Sequence, residues 1–175
     1  MRQLSIRPDE KLRGVKRRLR ALATWASRFE GWFPPRAEWD SKFSNYKIPV
    51  ADRLVRPPHT TREIQAACLR QMLRAATHLA AARPAELRDT CRIGVLLTLP
   101  DMWDSEVTVF FDRNYYRGFL HNDAAYAGRS LCAEFGVEKP AAFIENGALV
   151  QTEDELDNGR KIIRSSEWWT IGEAF

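Results

Sequence analysis

A stripe of apolar residues begins at Leu12 and continues to Phe29. Its members are Leu12, Val15, Leu19, Leu22, Ala26 and Phe29. Steps of three and four positions place these residues on one face of an α-helix. Asp9 fits an N-cap and Gly31 fits the end of such a helix. We therefore predict a first helix between these two residues, preceded by a flexible N-terminus over residues 1–10.

A second helical pattern follows a connector in which Ile48-Pro49-Val50 fits an edge strand. We predict that Thr60 or Thr61 begins this helix, because Thr60 and Glu63 have the spacing of a capping box and the alanine-rich run up to Ala82 has a high helix propensity. Pro84 then ends the pattern, because proline interrupts a helix. The predicted buried stripe comprises Ile64, Ala67, Cys68, Met72, Ala75 and Leu79.

The period then changes from that of a helix to that of a strand. Ile93–Leu99 is a continuous apolar run typical of a central strand, and Glu106–Phe111 alternates as a second strand. Other predicted strands are Leu131–Phe135, Ala142–Ile144, Leu149–Gln151, Lys161–Arg164 and Trp168–Ile171. Asn146-Gly147 and Asn158-Gly159 favour tight turns between strands.

This order of elements predicts an α+β fold, with two N-terminal helices packed on a mainly antiparallel sheet that ends in a β-meander. Both helices must cover one face of the sheet to hide their apolar stripes. We therefore expect eight residues to be buried together. They are Leu19, Leu22, Phe29, Met72, Leu79, Val95, Leu97 and Val109.

Length and composition fit a single domain over residues 1–175. The 175 residues are 45% hydrophobic and 29% charged, a profile typical of one globular domain. No apolar run approaches the roughly 18 to 20 residues that a membrane-spanning helix needs. The basic N-terminus lacks the apolar centre of a secretory signal. We expect a cytoplasmic protein without a membrane partner.

Charge is divided unequally along the chain, although its net value is only +4. Met1–Pro100 carries 20 basic and 9 acidic residues, for a net charge of +11. Asp101–Phe175 carries 7 basic and 14 acidic residues, for a net charge of −7. A basic first half suits nucleic acid or an acidic protein, whereas an acidic second half suits a basic protein surface. The gradient favours a binding protein over an enzyme.

Residue chemistry offers no catalytic motif. The three cysteines form no CxxC pair, and the three histidines lie far apart without a second ligand at metal spacing. The sequence contains no glycine-rich phosphate loop, no GxSxG and no HExxH. We predict no catalytic residue, no cofactor and no metal site. An enzyme whose site is assembled from distant residues stays a third hypothesis.

Two sets of residues are candidates for binding a partner. The acidic candidates are Glu153, Asp154, Glu155 and Asp157, which form either a solvated hairpin tip or a contact surface for a basic protein. Trp168 and Trp169 are adjacent in a predicted strand and point to opposite faces, so we expect one of them to face outward as an interface anchor. The basic candidates are Lys11, Arg13, Lys16, Arg17 and Arg20, which could neutralise the phosphates of a nucleic acid.

Three segments resemble a bacterial family, domain-of-unknown-function family thirty-nine sixteen. They are Leu12–Arg17, Leu99–Trp103 with the following Val107–Phe110, and Trp168–Glu173, and the resemblance spans Lys11 to Glu173. The family brings no established activity or catalytic residue, so the resemblance implies one intact bacterial cytoplasmic domain.

Small, charge-polarised bacterial proteins of this kind are often immunity partners of toxins. We therefore expect a non-catalytic immunity protein that neutralises a cognate bacterial toxin by blocking its active or substrate-binding site. The alternative is a nucleic-acid-binding accessory or regulatory protein that uses the basic first helix.

Overall fold

The computed structural model describes residues 14–38, 45–50, 52–55, 60–100, 102, 105–111, 130–145, 150–155 and 158–171. The helices are α1 (Gly14–Ser27), α2 (Asp52–Val55), α3 (Arg62–Ala82) and α4 (Leu131–Phe135). The strands are β1 (Asn45–Pro49), β2 (Arg92–Leu99), β3 (Glu106–Phe110), β4 (Phe143–Glu145), β5 (Val150–Glu155) and β6 (Lys161–Ile171). Single 3-10 turns occur at Arg36–Glu38 and Ala85–Leu87.

The strands form one antiparallel sheet in the order β1-β3-β2-β6-β4, and β5 also pairs with β6. The α+β fold predicted from the sequence is therefore confirmed. One detail differs, because β4 pairs with β6 and not with β5. Among the described strands, only the last hairpin of the predicted β-meander, β5–β6, is present.

Strand β6 is longer than its neighbours and joins two parts of the sheet. Its second half pairs with β2, whose last partner is Ser165, opposite Leu99. Its first half, residues 161–164, continues beyond the end of β2 and pairs with β5 alone among the described strands. We call β5 together with residues 161–164 the ribbon. The ribbon is a two-stranded extension of the sheet.

The core lies between the helices and one face of the sheet. Helix α3 packs directly on β2, β3 and β6, and α1 packs mainly on α3. Seven of the eight residues expected in the core are buried there, namely Leu22, Phe29, Met72, Leu79, Val95, Leu97 and Val109. Leu19 is partly buried and packs against the same core. The buried alanines of α3, Ala67, Ala75 and Ala76, are small enough to let a neighbouring element approach its backbone closely.

Local signals explain where these elements begin and end. Thr61, one of the two predicted starting residues, caps α3 by accepting a hydrogen bond from the backbone N–H of Ile64. Asn158 Oδ1 accepts from the backbone N–H of Arg160, and Gly159 has a φ of 73°, which confirms the predicted turn before β6. Asn146-Gly147 lies outside the described residues.

The prediction of a strand over Leu131–Phe135 is wrong, because this segment is the helix α4. Its burial pattern does not alternate: Leu131 and Cys132 are buried and Ala133 and Glu134 are exposed, as on a short helix with one buried side. Gly136 ends the helix in the left-handed conformation, with a φ of 62°. Glu167 on β6 holds the start of α4, since its Oε2 accepts from the backbone N–H of Leu131 at 2.6 Å.

Candidate functional site

The predicted acidic residues lie mainly on the ribbon. Glu153, Asp154 and Glu155 belong to β5 itself, before the hairpin turn, whereas Asp157 lies outside the described residues. Glu153 and Glu155 are exposed. Glu153 Oε1 accepts a charged hydrogen bond from Lys161 Nζ across the two strands.

The acids of the ribbon face a basic strand. The register places Glu155 opposite Lys161 and Thr152 opposite Arg164, and Arg160 precedes this strand. The ribbon is therefore a surface of mixed charge, with acids on its outer strand β5 and bases on β6. Exposed ion pairs of this kind contribute little to stability, about 0 to 1 kcal/mol each.

The expected aromatic anchor is absent from the described surface, and an aliphatic residue takes its place. Trp168 is 4% exposed and Trp169 is 0% exposed, so the prediction that one of them faces outward is wrong. Both faces of the sheet are buried at this part of β6. Among the residues that the structure describes, Ile163 alone combines a large apolar side chain with high exposure, at 61%. It lies opposite Glu153 in the ribbon.

The sheet face opposite the helices is polar and largely buried, which the sequence analysis did not identify. Its buried polar residues are Asn45, Arg92, Thr98, Glu106, Thr108 and Thr170. Glu106 Oε1 pairs with Lys47 Nζ at 3.1 Å and accepts from Thr108 Oγ1 at 2.8 Å. The hydroxyl oxygens of Thr98 and Ser166 are 3.0 Å apart across β2 and β6. The alternation of Glu106 and Thr108 with Val107 and Val109 in β3 was the available signal.

The basic candidates are only partly described. Lys16, Arg17 and Arg20 lie on α1 and are exposed, whereas Lys11 and Arg13 lie outside the described residues. Helix α1 contains four basic residues and no acidic residue. Its exposed side therefore presents positive charge, as the sequence predicts.

The cysteines of the core are buried thiols. Cys68, Cys91 and Cys132 are all free and buried. Burial raises the pKa of the Cys68 thiol far above its usual range, and it raises the pKa of Cys91 to about 12 although Arg83 and Arg92 act in the opposite direction. A nucleophilic cysteine needs a lowered thiol pKa, so neither of these two thiols is activated.

Within the described part of the chain, no three His, Cys, Asp or Glu side chains are grouped closely enough to hold a metal ion. None of the described helices has both the length and the apolar character that crossing a membrane requires.

Comparison with known proteins places the chain in a family. A family model described as "Protein of unknown function (DUF3916)" matches residues 23–173. The chain belongs to this family. The match to DUF3916 confirms the resemblance found in the sequence and includes β2, β3 and β6, whereas the first resembling segment, Leu12–Arg17, precedes the matched residues. Comparison with curated proteins and with solved structures finds no match.

Proposed function

We propose that this DUF3916 chain is a non-catalytic binding protein of the immunity type, which neutralises a cognate bacterial toxin by covering its active or substrate-binding site. The observation that carries the proposal is the ribbon. It projects past the end of β2 and presents Ile163 at 61% exposure. An exposed β-branched residue among charged neighbours is suited to fill an apolar pocket at the centre of an interface.

The arrangement of charge suggests which surface the ribbon contacts. Strand β5 carries three consecutive acids, Glu153, Asp154 and Glu155, and among the described strands it pairs only with β6. Its outer edge therefore offers backbone hydrogen-bonding groups beside carboxylates, which suits an extended basic segment of a partner. Toxins that act on nucleic acids or nucleotides need basic clefts for phosphate, so carboxylates at this edge would favour encounter with such a cleft.

Replacing Ile163 by serine is expected to weaken binding of the cognate toxin about 100-fold, since losing a central apolar anchor commonly costs 2 kcal/mol or more. The toxin probe is the protein encoded by the neighbouring gene. Binding is measured by titration calorimetry, and protection by survival of cells that express that protein. Folding should be unaffected, because Ile163 contributes little to the core.

The matched control is Ala81→Ser, at an exposed position near the C-terminal end of α3 and outside the ribbon. We expect this variant to bind and protect like the parent. If Ile163→Ser binds and protects as well as Ala81→Ser does, the ribbon is not the binding surface. If the parent chain neither binds the neighbouring protein nor protects against it, the immunity function itself is refuted.

The exposed cations of α1 support one alternative function, binding of nucleic acid. If Lys16, Arg17 and Arg20 each contact a phosphate, replacing all three by serine should reduce the slope of log affinity against log salt by about 3 units. Fluorescence anisotropy with a labelled duplex and a labelled RNA, between low and physiological salt, measures this slope. Weak binding whose salt dependence is the same in parent and triple variant would eliminate this alternative.

A further inference from the structure

Two arginine side chains converge on one backbone oxygen where β2 begins. The carbonyl oxygen of Cys91 accepts from Arg83 Nη1 at 2.8 Å and from Arg92 Nη1 at 3.1 Å. Arg92 Nη1 also donates to the carbonyl oxygen of Arg88 at 2.8 Å. Since both guanidinium groups reach the same atom, two positive charges lie side by side at this point. A third, that of Arg88, belongs to the same turn and is exposed.

The positive charge of Arg83 is not balanced by an ion pair within the described residues. Its hydrogen-bond acceptor is a neutral carbonyl, and its Nε lies buried without a hydrogen-bond partner. Burial lowers the pKa of Arg83. The positive charges of Arg92 and Arg88 lower this pKa further, whereas Cys91 and Asp89 raise it. The turn over residues 83–92 carries three arginines against two acids, Glu86 and Asp89, so a net positive charge is left near the partly desolvated Arg83, and an approaching anion would stabilise it.

We propose that the turn from Arg83 to Arg92 binds a phosphate-type oxyanion. The half-buried Arg83 and the exposed Arg88 would donate hydrogen bonds to the anion. Arg92, whose guanidinium donates to the carbonyl oxygens of Cys91 and Arg88, would add a buried positive charge beside them. Guanidinium groups match phosphate oxygens with paired, charge-assisted hydrogen bonds. A phosphate suits the turn better than a carboxylate does, because its charge is larger and its terminal oxygens are more numerous. This site is separate from the ribbon and does not depend on the proposed function.

The test uses the full chain, with inorganic phosphate as the first probe and chloride at equal ionic strength as the reference. A concentration of phosphate about tenfold above its Kd should raise the Tm by about 3 °C. Arg88→Gln should weaken binding about tenfold, since one charged hydrogen bond is lost. The backbone oxygen of Arg88 stays in place, so this variant tests the anion site even if Arg83→Gln destabilises the fold. Arg70→Gln, at an exposed position on α3, is the matched control and should behave like the parent.

A second arm compares adenosine monophosphate with adenosine by titration calorimetry. Recognition through the phosphate requires the nucleotide to bind and the nucleoside not to bind, again with weaker binding in Arg88→Gln. The proposal is overturned if phosphate raises the Tm of parent and Arg88→Gln equally, or if adenosine binds as tightly as the nucleotide. The arginines would then serve only to stabilise the carbonyl groups beyond the end of α3.

Discussion

Replacing Trp169 by alanine is expected to lower the free energy of unfolding by about 3 to 5 kcal/mol, which is a large part of the stability of a domain of this size. Trp169 is fully buried on the face of β6 that meets the helices, and it lies opposite Val95 of the central strand β2. Removing its ring leaves a cavity in the middle of the core, where neighbouring strands and α3 restrict collapse. Chemical denaturation followed by circular dichroism measures the loss.

Two control variants separate the effect of volume from other effects at this position. Trp169→Phe keeps most of the apolar volume and removes the indole N–H, which has no hydrogen-bond partner within the described part of the chain. We expect this variant to cost much less than Trp169→Ala. Ile163→Ala, at an exposed position on the same strand, should change stability by less than about 0.5 kcal/mol. A cost below about 1 kcal/mol for Trp169→Ala would contradict the central position of this residue.

The elements that the sequence predicts best are those with long, regular patterns. Helix α3 repeats its apolar stripe over several turns, and β2 is a continuous apolar run, so a single misplaced residue does not obscure either period. Helix α4 has only five residues, which is too short for a period to be visible. Its clearest signal was Gly136, a typical residue at the end of a helix, placed directly after the predicted strand.

The position of the tryptophan pair could not be read from the sequence. Alternation correctly places Trp168 and Trp169 on opposite faces of β6, but it does not reveal whether the second face is covered. In this sheet the second face is also buried, as Phe110 and Thr170 at 0% exposure show. In β3, Glu106 and Thr108 alternate with valines, which is the pattern of a strand with one solvent-exposed face. Composition along a strand is therefore a poor guide to exposure where polar side chains bond to one another.

The candidate binding surface was partly predictable. The acids of β5 were identified as exposed, and the structure places Glu153 and Glu155 on the surface. The opposing charges were missed because they depend on strand register. Counting outward from a two-residue turn at Asn158-Gly159 would place Lys161 opposite Leu156, whereas the structure pairs it with Glu155, so the register was not available from the sequence. Likewise, the shared contact of Arg83 and Arg92 with Cys91 joins a helix end to a strand start, and no local pattern predicts it.

The second large expected effect is a fall in the free energy of unfolding at alkaline pH, caused by the buried thiols of Cys68 and Cys91. A thiol is charged when it loses its proton, and burial in the core raises the pKa of both groups above the ordinary value near 9. Above that pH the unfolded chain gains stability by ionising, whereas the folded chain keeps both thiols neutral. Each thiol should therefore lower the free energy of unfolding by about 1.4 kcal/mol per pH unit as the pH rises. For Cys91 this loss continues to about pH 12, where the folded thiol also ionises.

Denaturation curves measured from pH 8 to pH 11 in the parent and in the double variant Cys68→Ala, Cys91→Ala test this expectation. The two substitutions lower stability at every pH by removing buried volume, so the comparison rests on slope and not on absolute stability. Each single variant should remove about 1.4 kcal/mol per pH unit from the alkaline slope, and the double variant about twice that. Equal slopes in parent and double variant would mean that the thiols ionise as readily in the folded chain as in the unfolded one. Such a result would mean that water or a stabilising charge lies beside the thiols, which would contradict their burial in the core between α3 and the sheet.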